Sequence, residues 1–282
     1  MIVKPGRLLD TDILMYSSGG GGGTLLLDTL TSATFAYSTR LLRTAYAGKC
    51  MNVRRSSDSA TQDIGFDGSG NFDVTAFNAF VGGGNGFCAK WYDQSGNGND
   101  VAQSTAGQQP QVVLAVQNGH PIVRMVGANT TGLVSTQTVT VQQTFVGAAV
   151  AARRDSPTSY MAIFSDQSGG GVNSAWFGFA NSAGKMEAIA GNVGFTISGV
   201  SETVFHSAAI TYSGSGSVIN VDGVEQAGSL LSGGWLLSPV YIGYDPPSGD
   251  RGDNDIGEAV VWPSGVSRTT IITNLRAYWG TP

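Results

Sequence analysis

Charged residues are scarce in this chain: Asp, Glu, Lys and Arg make up 12% of its 282 residues, and the net charge is −5. A surface that binds nucleic acid needs clustered Lys and Arg to meet the phosphates, so the composition predicts no nucleic-acid partner. No run of about 18 apolar residues exists, which predicts no membrane-spanning helix. Residues 1–12 carry Lys4, Arg7 and Asp10 and lack the apolar centre of a secretory signal, so we expect a protein made in a cytoplasm.

Cysteine and histidine are equally rare, with two of each. Cys50 and Cys88 are too few for a disulfide framework, and we expect each to be a small buried apolar residue. His120 and His206 lie far apart in the sequence, which argues against a zinc site. We therefore expect no cofactor, with calcium as the open alternative.

Glycine is abundant, with 41 residues, and good helix formers are few. Short β-like runs separated by Gly, Ser and Asn follow one another from about residue 110, and Asp222-Gly223 is typical of a two-residue hairpin turn. This pattern predicts an all-β fold, an antiparallel β-sandwich or jelly roll with a few short helices. We expect Val146, Ala148 and Val150 to be buried between the two sheets.

Three segments predict helices. Phe35, Leu41, Leu42 and Ala45 recur at roughly helical spacing. Residues 73–82 are clearer, since Asp73 can cap the first turn and Gly82 can end the helix. Residues 267–278 predict a terminal helix that lies against the sandwich.

Residues 1–30 are interpreted as an N-terminal attachment arm, and residues 31–282 as the sandwich domain. A run of five glycines, Gly19–Gly23, interrupts the arm, and leucines flank it on both sides. The arm is either a flexible linker or a segment that docks on this sandwich or on a neighbouring subunit. We expect intersubunit contacts and a homo-oligomer.

The segment from Trp91 to Asp100 is the densest cluster of polar and aromatic residues. It follows a predicted strand and is typical of a sugar site, a cation site or a rigid loop. The candidate carbohydrate-binding residues are Trp91, Tyr92, Asp93, Gln94, Asn97, Asn99 and Asp100. The alternative is structural: Trp91 and Tyr92 lie in the core, and Asp93 accepts loop amides with Arg54 or Arg55 as its charged partner.

Two segments are candidates for calcium. Asp93, Ser95 and Asn97 alternate as at the start of a calcium loop, but Ser104 stands where a bidentate glutamate is expected. Residues 245–255 are acidic and supply Asp250, Asp253 and Asp255 as weaker candidates. The alternative for that second segment is a solvated loop.

Four segments occur in an order that resembles the catalytic β-sandwich of the arabinofuranosidase B family: residues 37–46, 53–58, 62–66 and 91–100. The order is also similar to domains of that type in tailed-bacteriophage virion proteins. The second half, from the Asp222-Gly223 hairpin onward, resembles concanavalin A-like or laminin-G-like jelly rolls.

Glycoside hydrolysis normally needs two carboxyl groups. The resemblance implies that Asp245, which follows Ile242-Gly243-Tyr244, matches the family's acid/base position. The family's Asp-Leu-Glu-Asn-Gly-like nucleophile segment is not matched, since residues 185–188 differ from it, and the family's adjacent cysteine pair is missing.

From these departures we expect no arabinofuranosidase activity. The predicted function is a non-enzymatic structural or adhesion protein of a phage tail, located in the virion. Its predicted partners are other virion proteins and a host surface glycan, which the domain would recognise as a lectin does. The alternative is a glycoside hydrolase acting on an arabinose-containing or related polysaccharide.

Overall fold

The computed structural model describes residues 24–154, 160–166, 174–232, 239–245, 252–263 and 265–282. Eighteen strands make up most of this part of the chain. They are β1 Phe35–Ser38, β2 Met51–Arg55, β3 Thr61–Ile64, β4 Gly86–Trp91, β5 Val101–Ala102, β6 Gln111–Gln117, β7 His120–Met125, β8 Leu133–Ser135, β9 Phe145–Arg153, β10 Met161–Asp166, β11 Ala175–Phe179, β12 Lys185–Ala190, β13 Val193–Ser198, β14 His206–Tyr212, β15 Ser217–Val221, β16 Val224–Gly228, β17 Val240–Ile242 and β18 Asn254–Trp262.

The described residues also form three α-helices: α1 Leu26–Thr29, α2 Val74–Val81 and α3 Arg268–Trp279. The side chain of Asp73 accepts a hydrogen bond from Ala76 N at the start of α2, and Ser267 caps α3 in the same way. Both helices confirm their predictions. The helix expected around residues 35–45 is wrong, because Phe35–Ser38 pairs as a strand with β18.

One sheet has the order β16–β15–β14–β9–β18. The opposite edge of β18 pairs with two strands. Residues 254–256 pair with β7, and residues 258–261 pair with β1. The Asp222-Gly223 turn joins β15 to β16 with φ of 52° and 92° at its two residues, which confirms the predicted hairpin.

The second sheet has the order β13–β12–β11–β10–β17–β8–β5. From β5 the pairing continues to β4, which also pairs with β2 and β6, and β6 leads back to β7. All of these pairings are antiparallel, and the two sheets pack face to face. The predicted all-β antiparallel sandwich is therefore confirmed.

Alternate residues of each sheet fill the space between the sheets. Phe145 and Ala149 of β9 face Phe164 and Phe177 of the second sheet in this inner core. The expectation for Val146, Ala148 and Val150 is wrong. These three side chains are buried, but on the outer face of the first sheet, because α3 covers that face with Ile271, Ile272, Leu275 and Trp279.

The end of the predicted arm belongs to this outer layer. Leu26 and Leu27 are buried in the same cluster as α3. Leu27 N donates to Leu42 O at 2.8 Å, and the Trp262 indole donates to Leu30 O at 2.8 Å. Residues 24–30 therefore dock on this protein's own sandwich, while residues 1–23, with the glycine run, lie outside the described residues.

In the described part of the chain, no helix is long and apolar enough to span a membrane.

Candidate functional site

The outer face of the second sheet carries a cross-strand row of polar and aromatic side chains. Tyr241 of β17 stands opposite Ser165 of β10, and Ser165 stands opposite Trp176 of β11. The neighbouring positions Phe164, Phe177 and Ile242 point into the inner core. Since side chains alternate along a strand, Ser165, Trp176 and Tyr241 must point outward.

Asp245 lies over this row. The chain turns at Gly243, whose φ is +87°, a left-handed conformation that favours glycine. It then passes above β10, where Ser165 Oγ donates to Tyr244 O at 3.0 Å. Burial and then the negative charge of Asp245 raise the pKa of Tyr241, so the carboxylate lies close to this phenol. Asp245 is itself buried, with 8% of its surface exposed.

Glu187 is a second carboxyl group on the same face. It lies on β12 opposite Gly178 of β11, and Ile189, two residues further on, lies opposite Trp176. The same alternation therefore turns the Glu187 side chain outward. Its Oε1 lies over Gly194 of β13, since a Cβ built on that glycine would be 2.8 Å from this oxygen. Burial raises the pKa of Glu187, and the positive charge of Lys185 partly opposes this shift.

The two carboxyl groups therefore share the outer face of the second sheet. Asp245 follows β17 and passes above β10, and Glu187 lies on β12, two strands away from β10. Glycoside hydrolases generally use two carboxyl groups that flank the bond to be broken. Trp176 and Tyr160 meet edge to face on the same side, with their ring centroids 5.7 Å apart. Trp176 is itself buried, with 5% of its surface exposed.

The other three glutamates are engaged elsewhere. Glu258 is fully buried and accepts from Ser38 Oγ at 2.9 Å, from Arg40 Nε at 2.8 Å and from the Trp279 indole at 3.2 Å. Glu225 pairs with Arg268 at 3.0 Å, and Glu202 accepts from Gly184 N at 3.1 Å. Glu187 is thus the glutamate that the fold brings to the face of Asp245. Residues 185–188 do not match the family's nucleophile segment, so only the strand register shows that Glu187 lies on this face.

Asp93 is the centre of a buried loop. Its Oδ1 accepts from Ala36 N at 2.8 Å and from Ser95 N at 2.9 Å. Its Oδ2 accepts from Ser95 Oγ at 2.6 Å and from Asn99 N at 3.0 Å. These bonds confirm that Asp93 accepts loop amides. The expected partner is wrong: among the described residues Arg54 bonds to Gln109 and Ala106, and Arg55 to Asp58 and Phe80.

The neighbours of Asp93 also use their polar groups within the protein. Gln94 is fully buried and bonds to the backbone at Ser38, Arg40 and Leu42. The Asn97 and Asn99 amides donate to Thr34 O at 3.0 and 2.8 Å. The loop that contains these residues is therefore a rigid structural element.

The remaining candidates in this segment have similar roles. Trp91 is fully buried and donates to Ser38 O at 3.3 Å, so its ring has no open face. Tyr92 is half-buried and donates to Asp63 at 2.8 Å, and Asp100 accepts from Asp93 N at 3.0 Å. Residues 91–100 lie at the end of β4 and in the loop beside β1, away from Asp245. Sugar binding by this segment stays a prediction.

The candidate calcium ligands are engaged by arginines and amides. Arg124 donates two hydrogen bonds to the Asp255 carboxylate, at 2.8 and 2.7 Å, and Asp253 accepts one from Gly127 N at 2.9 Å. Asp250 lies outside the described residues. Over the described ranges, no three His, Cys, Asp or Glu side chains group closely enough to hold a metal ion. Calcium stays a prediction.

Comparison with known proteins gives the family. The model of the α-L-arabinofuranosidase B catalytic domain matches residues 27–199, which is more than half of the chain. The chain belongs to the α-L-arabinofuranosidase B catalytic family. Glu187 lies within the matched residues, and Asp245 lies beyond them. No curated protein matches the chain.

Solved structures of arabinofuranosidases share the fold of this family member. A GH54 α-L-arabinofuranosidase with a cyclic sulfate inhibitor superposes with a TM-score of 0.70 at 19% identity. An arabinofuranosidase in complex with arabinofuranosyl-α-1,2-xylobiose superposes with a TM-score of 0.68 at 19% identity. Each alignment covers 90% of this chain and 64% of the other, so the chain spans less than two thirds of the length of these proteins.

These findings correct the predicted function. The expectation of a non-enzymatic structural or adhesion protein of a phage tail is wrong, because the family match and the structural neighbours are those of a glycoside hydrolase. The order of the four matching segments therefore indicates the family even though the nucleophile segment is not matched. The resemblance to arabinofuranosidase B is confirmed.

Proposed function

We propose that this domain is a glycoside hydrolase that releases terminal α-L-arabinofuranosyl groups from a polysaccharide or oligosaccharide. The observation that carries the proposal is the presence of Asp245 and Glu187 on one face of a sandwich from the arabinofuranosidase B family. Hydrolysis of a glycoside requires two such carboxyl groups.

Asp245 acts as the general acid in this proposal, as its resemblance to the family's acid/base position implies. It gives its proton to the glycosidic oxygen while the bond from that oxygen to the anomeric carbon breaks. Glu187 acts as the partner carboxylate and attacks the anomeric carbon as a nucleophile. Because burial raises the pKa of Glu187, its carboxylate is more basic than an exposed one. Water, deprotonated by Asp245, then releases the sugar and restores both groups.

The test is the release of 4-nitrophenol from 4-nitrophenyl α-L-arabinofuranoside. Removing a general acid or a nucleophile usually costs at least about 100-fold in rate. We expect Asp245→Asn and Glu187→Gln each to lose that much without a change in melting temperature. Asp63→Asn and Glu225→Gln are matched controls, because both carboxylates are exposed and bond to side chains away from this face.

No release by the intact protein would overturn the proposal, provided that circular dichroism shows a folded sandwich. Full activity of Asp245→Asn or Glu187→Gln would instead remove that residue from the mechanism.

A further inference from the structure

A groove of about 520 Å³ lies between the first helix and the Asp93 loop. Ligand pockets usually have volumes of about 300–1,000 Å³. Its walls are formed by Leu27, Thr31, Ser32, Ala33, Arg43, Ser95, Gly96 and Asn97. Leu27 and Ala33 belong to the cluster under α3, on the outer face of the first sheet. The groove is therefore on the opposite side of the sandwich from Asp245 and Glu187.

Arg43 gives the groove a positive charge that the protein leaves available. Its Nη1 donates to Ser95 O at 2.7 Å, and no carboxylate among the described residues forms an ion pair with it. A guanidinium has five N–H donors, so most of them remain for a ligand. Gly96, with φ of +94°, makes this placement possible, since a Cβ there would lie 2.8 Å from Arg43 Nη1.

The rest of the groove is suited to hydroxyl groups. The Asn97 side-chain nitrogen donates to Ala33 O at 2.9 Å and Thr34 O at 3.0 Å, which holds the amide in one orientation at the groove. Thr31 and Ser32 are exposed and add two hydroxyls, while Leu27 and Ala33 form an apolar floor. Ser32 has a left-handed φ of 66°, a strained conformation of the kind found at binding sites.

We propose that this groove is an accessory site for a carboxylate-bearing sugar, a uronic acid in the polysaccharide that the domain binds. A guanidinium pairs with a carboxylate through two parallel hydrogen bonds, which an uncharged sugar does not offer. The hydroxyls of Thr31 and Ser32 and the Asn97 amide meet the sugar hydroxyls. The site does not depend on hydrolysis, so it can be measured in the Asp245→Asn variant as well as in the intact protein.

The experiment is isothermal titration with a glucuronic acid-substituted xylo-oligosaccharide and with the same oligosaccharide after reduction of its carboxyl group to an alcohol. We expect the acidic form to bind at least about 10-fold more tightly, which corresponds to about 1.4 kcal/mol. Arg43→Gln should remove this preference. Thr31→Trp, at an exposed position, should block both ligands by filling the groove without disturbing the core.

Arg54→Gln is the matched control, because Arg54 is another half-buried arginine that bonds to a side-chain amide and a backbone carbonyl. It should bind the acidic ligand as the intact protein does. The proposal is overturned if the acidic ligand does not bind, if the reduced ligand binds equally well, or if Arg43→Gln has no more effect than Arg54→Gln. Cleavage of 4-nitrophenyl α-L-arabinofuranoside should be the same in Arg43→Gln and the intact protein, which separates this site from the proposed catalytic one.

Discussion

Replacing Asp93 with alanine should destabilise the domain strongly, because this carboxylate holds together two segments that are far apart in sequence. Its four hydrogen bonds join β1 at Ala36 to the loop at Ser95 and Asn99. Ala36 is fully buried, so its N–H would be left without an acceptor and without water. An orphaned buried donor costs about 1–3 kcal/mol.

The other donors add to this cost. The N–H groups of Ser95 and Asn99 are half-buried, and each lost bond is worth about 0.5–1.5 kcal/mol. The sum over the three N–H donors is about 2–6 kcal/mol for Asp93→Ala. For a domain of this size, 1 kcal/mol lowers the melting temperature by roughly 2–4 °C. We therefore expect a fall of at least roughly 4 °C.

The assay is thermal unfolding followed by calorimetry and near-ultraviolet circular dichroism. Asp63→Ala is the matched control, since Asp63 is exposed and accepts only from the side chains of Asn52 and Tyr92. It should cost less than about 1 kcal/mol. The reasoning is refuted if Asp93→Ala melts as the intact protein does, or if it loses no more stability than Asp63→Ala.

Two further predictions concern buried charges. Arg40→Ala should lower the free energy of unfolding in urea by about 3–5 kcal/mol, because it leaves the fully buried Glu258 without its cation. Arg55→Ala, which breaks an exposed pair with Asp58, should cost less than about 1 kcal/mol, and equal losses would contradict this account. The pKa of His206 is raised: burial alone would lower it, but the hydrogen bonds to Asp222 and Ser201 O and the charge of Asp222 outweigh burial. The protonated His206–Asp222 pair should therefore stabilise the domain fully below the unfolded-state pKa of about 6.5 and less as the pH rises through the higher folded-state pKa. Urea unfolding of the intact protein and His206→Gln should give a stability difference that shrinks with rising pH; a difference independent of pH would refute it.

The sequence by itself determined the local features of this protein. Asp73 and Ser267 cap their helices, and Asp222-Gly223 makes its hairpin, because each depends on residues within a few positions along the chain. The strands from residue 145 onward follow from short β-like runs between turn formers. The order of four polar and aromatic segments also indicated the family that the comparison shows, although the function predicted from the sequence was wrong.

Only the tertiary structure decided which groups meet. The segment around residue 35 has helical spacing but forms a strand, because it pairs with β18, more than 200 residues away. Such pairing between distant strands cannot be recognised from the local sequence. Val146, Ala148 and Val150 face α3 rather than the second sheet, because one strand buries both of its faces and the sequence does not say which layer covers which face.

The positions of the carboxyl groups also depend on pairing between strands that are distant in the sequence. Arg40 and Glu258, separated by 218 positions, form a buried pair that no local pattern indicates. Asp245 and Glu187 share a face only because the register of β10, β11, β12 and β17 turns alternate residues to the same side. Residue types and turns are properties of the local chain, whereas a site built from two distant strands exists only once the sheet has formed.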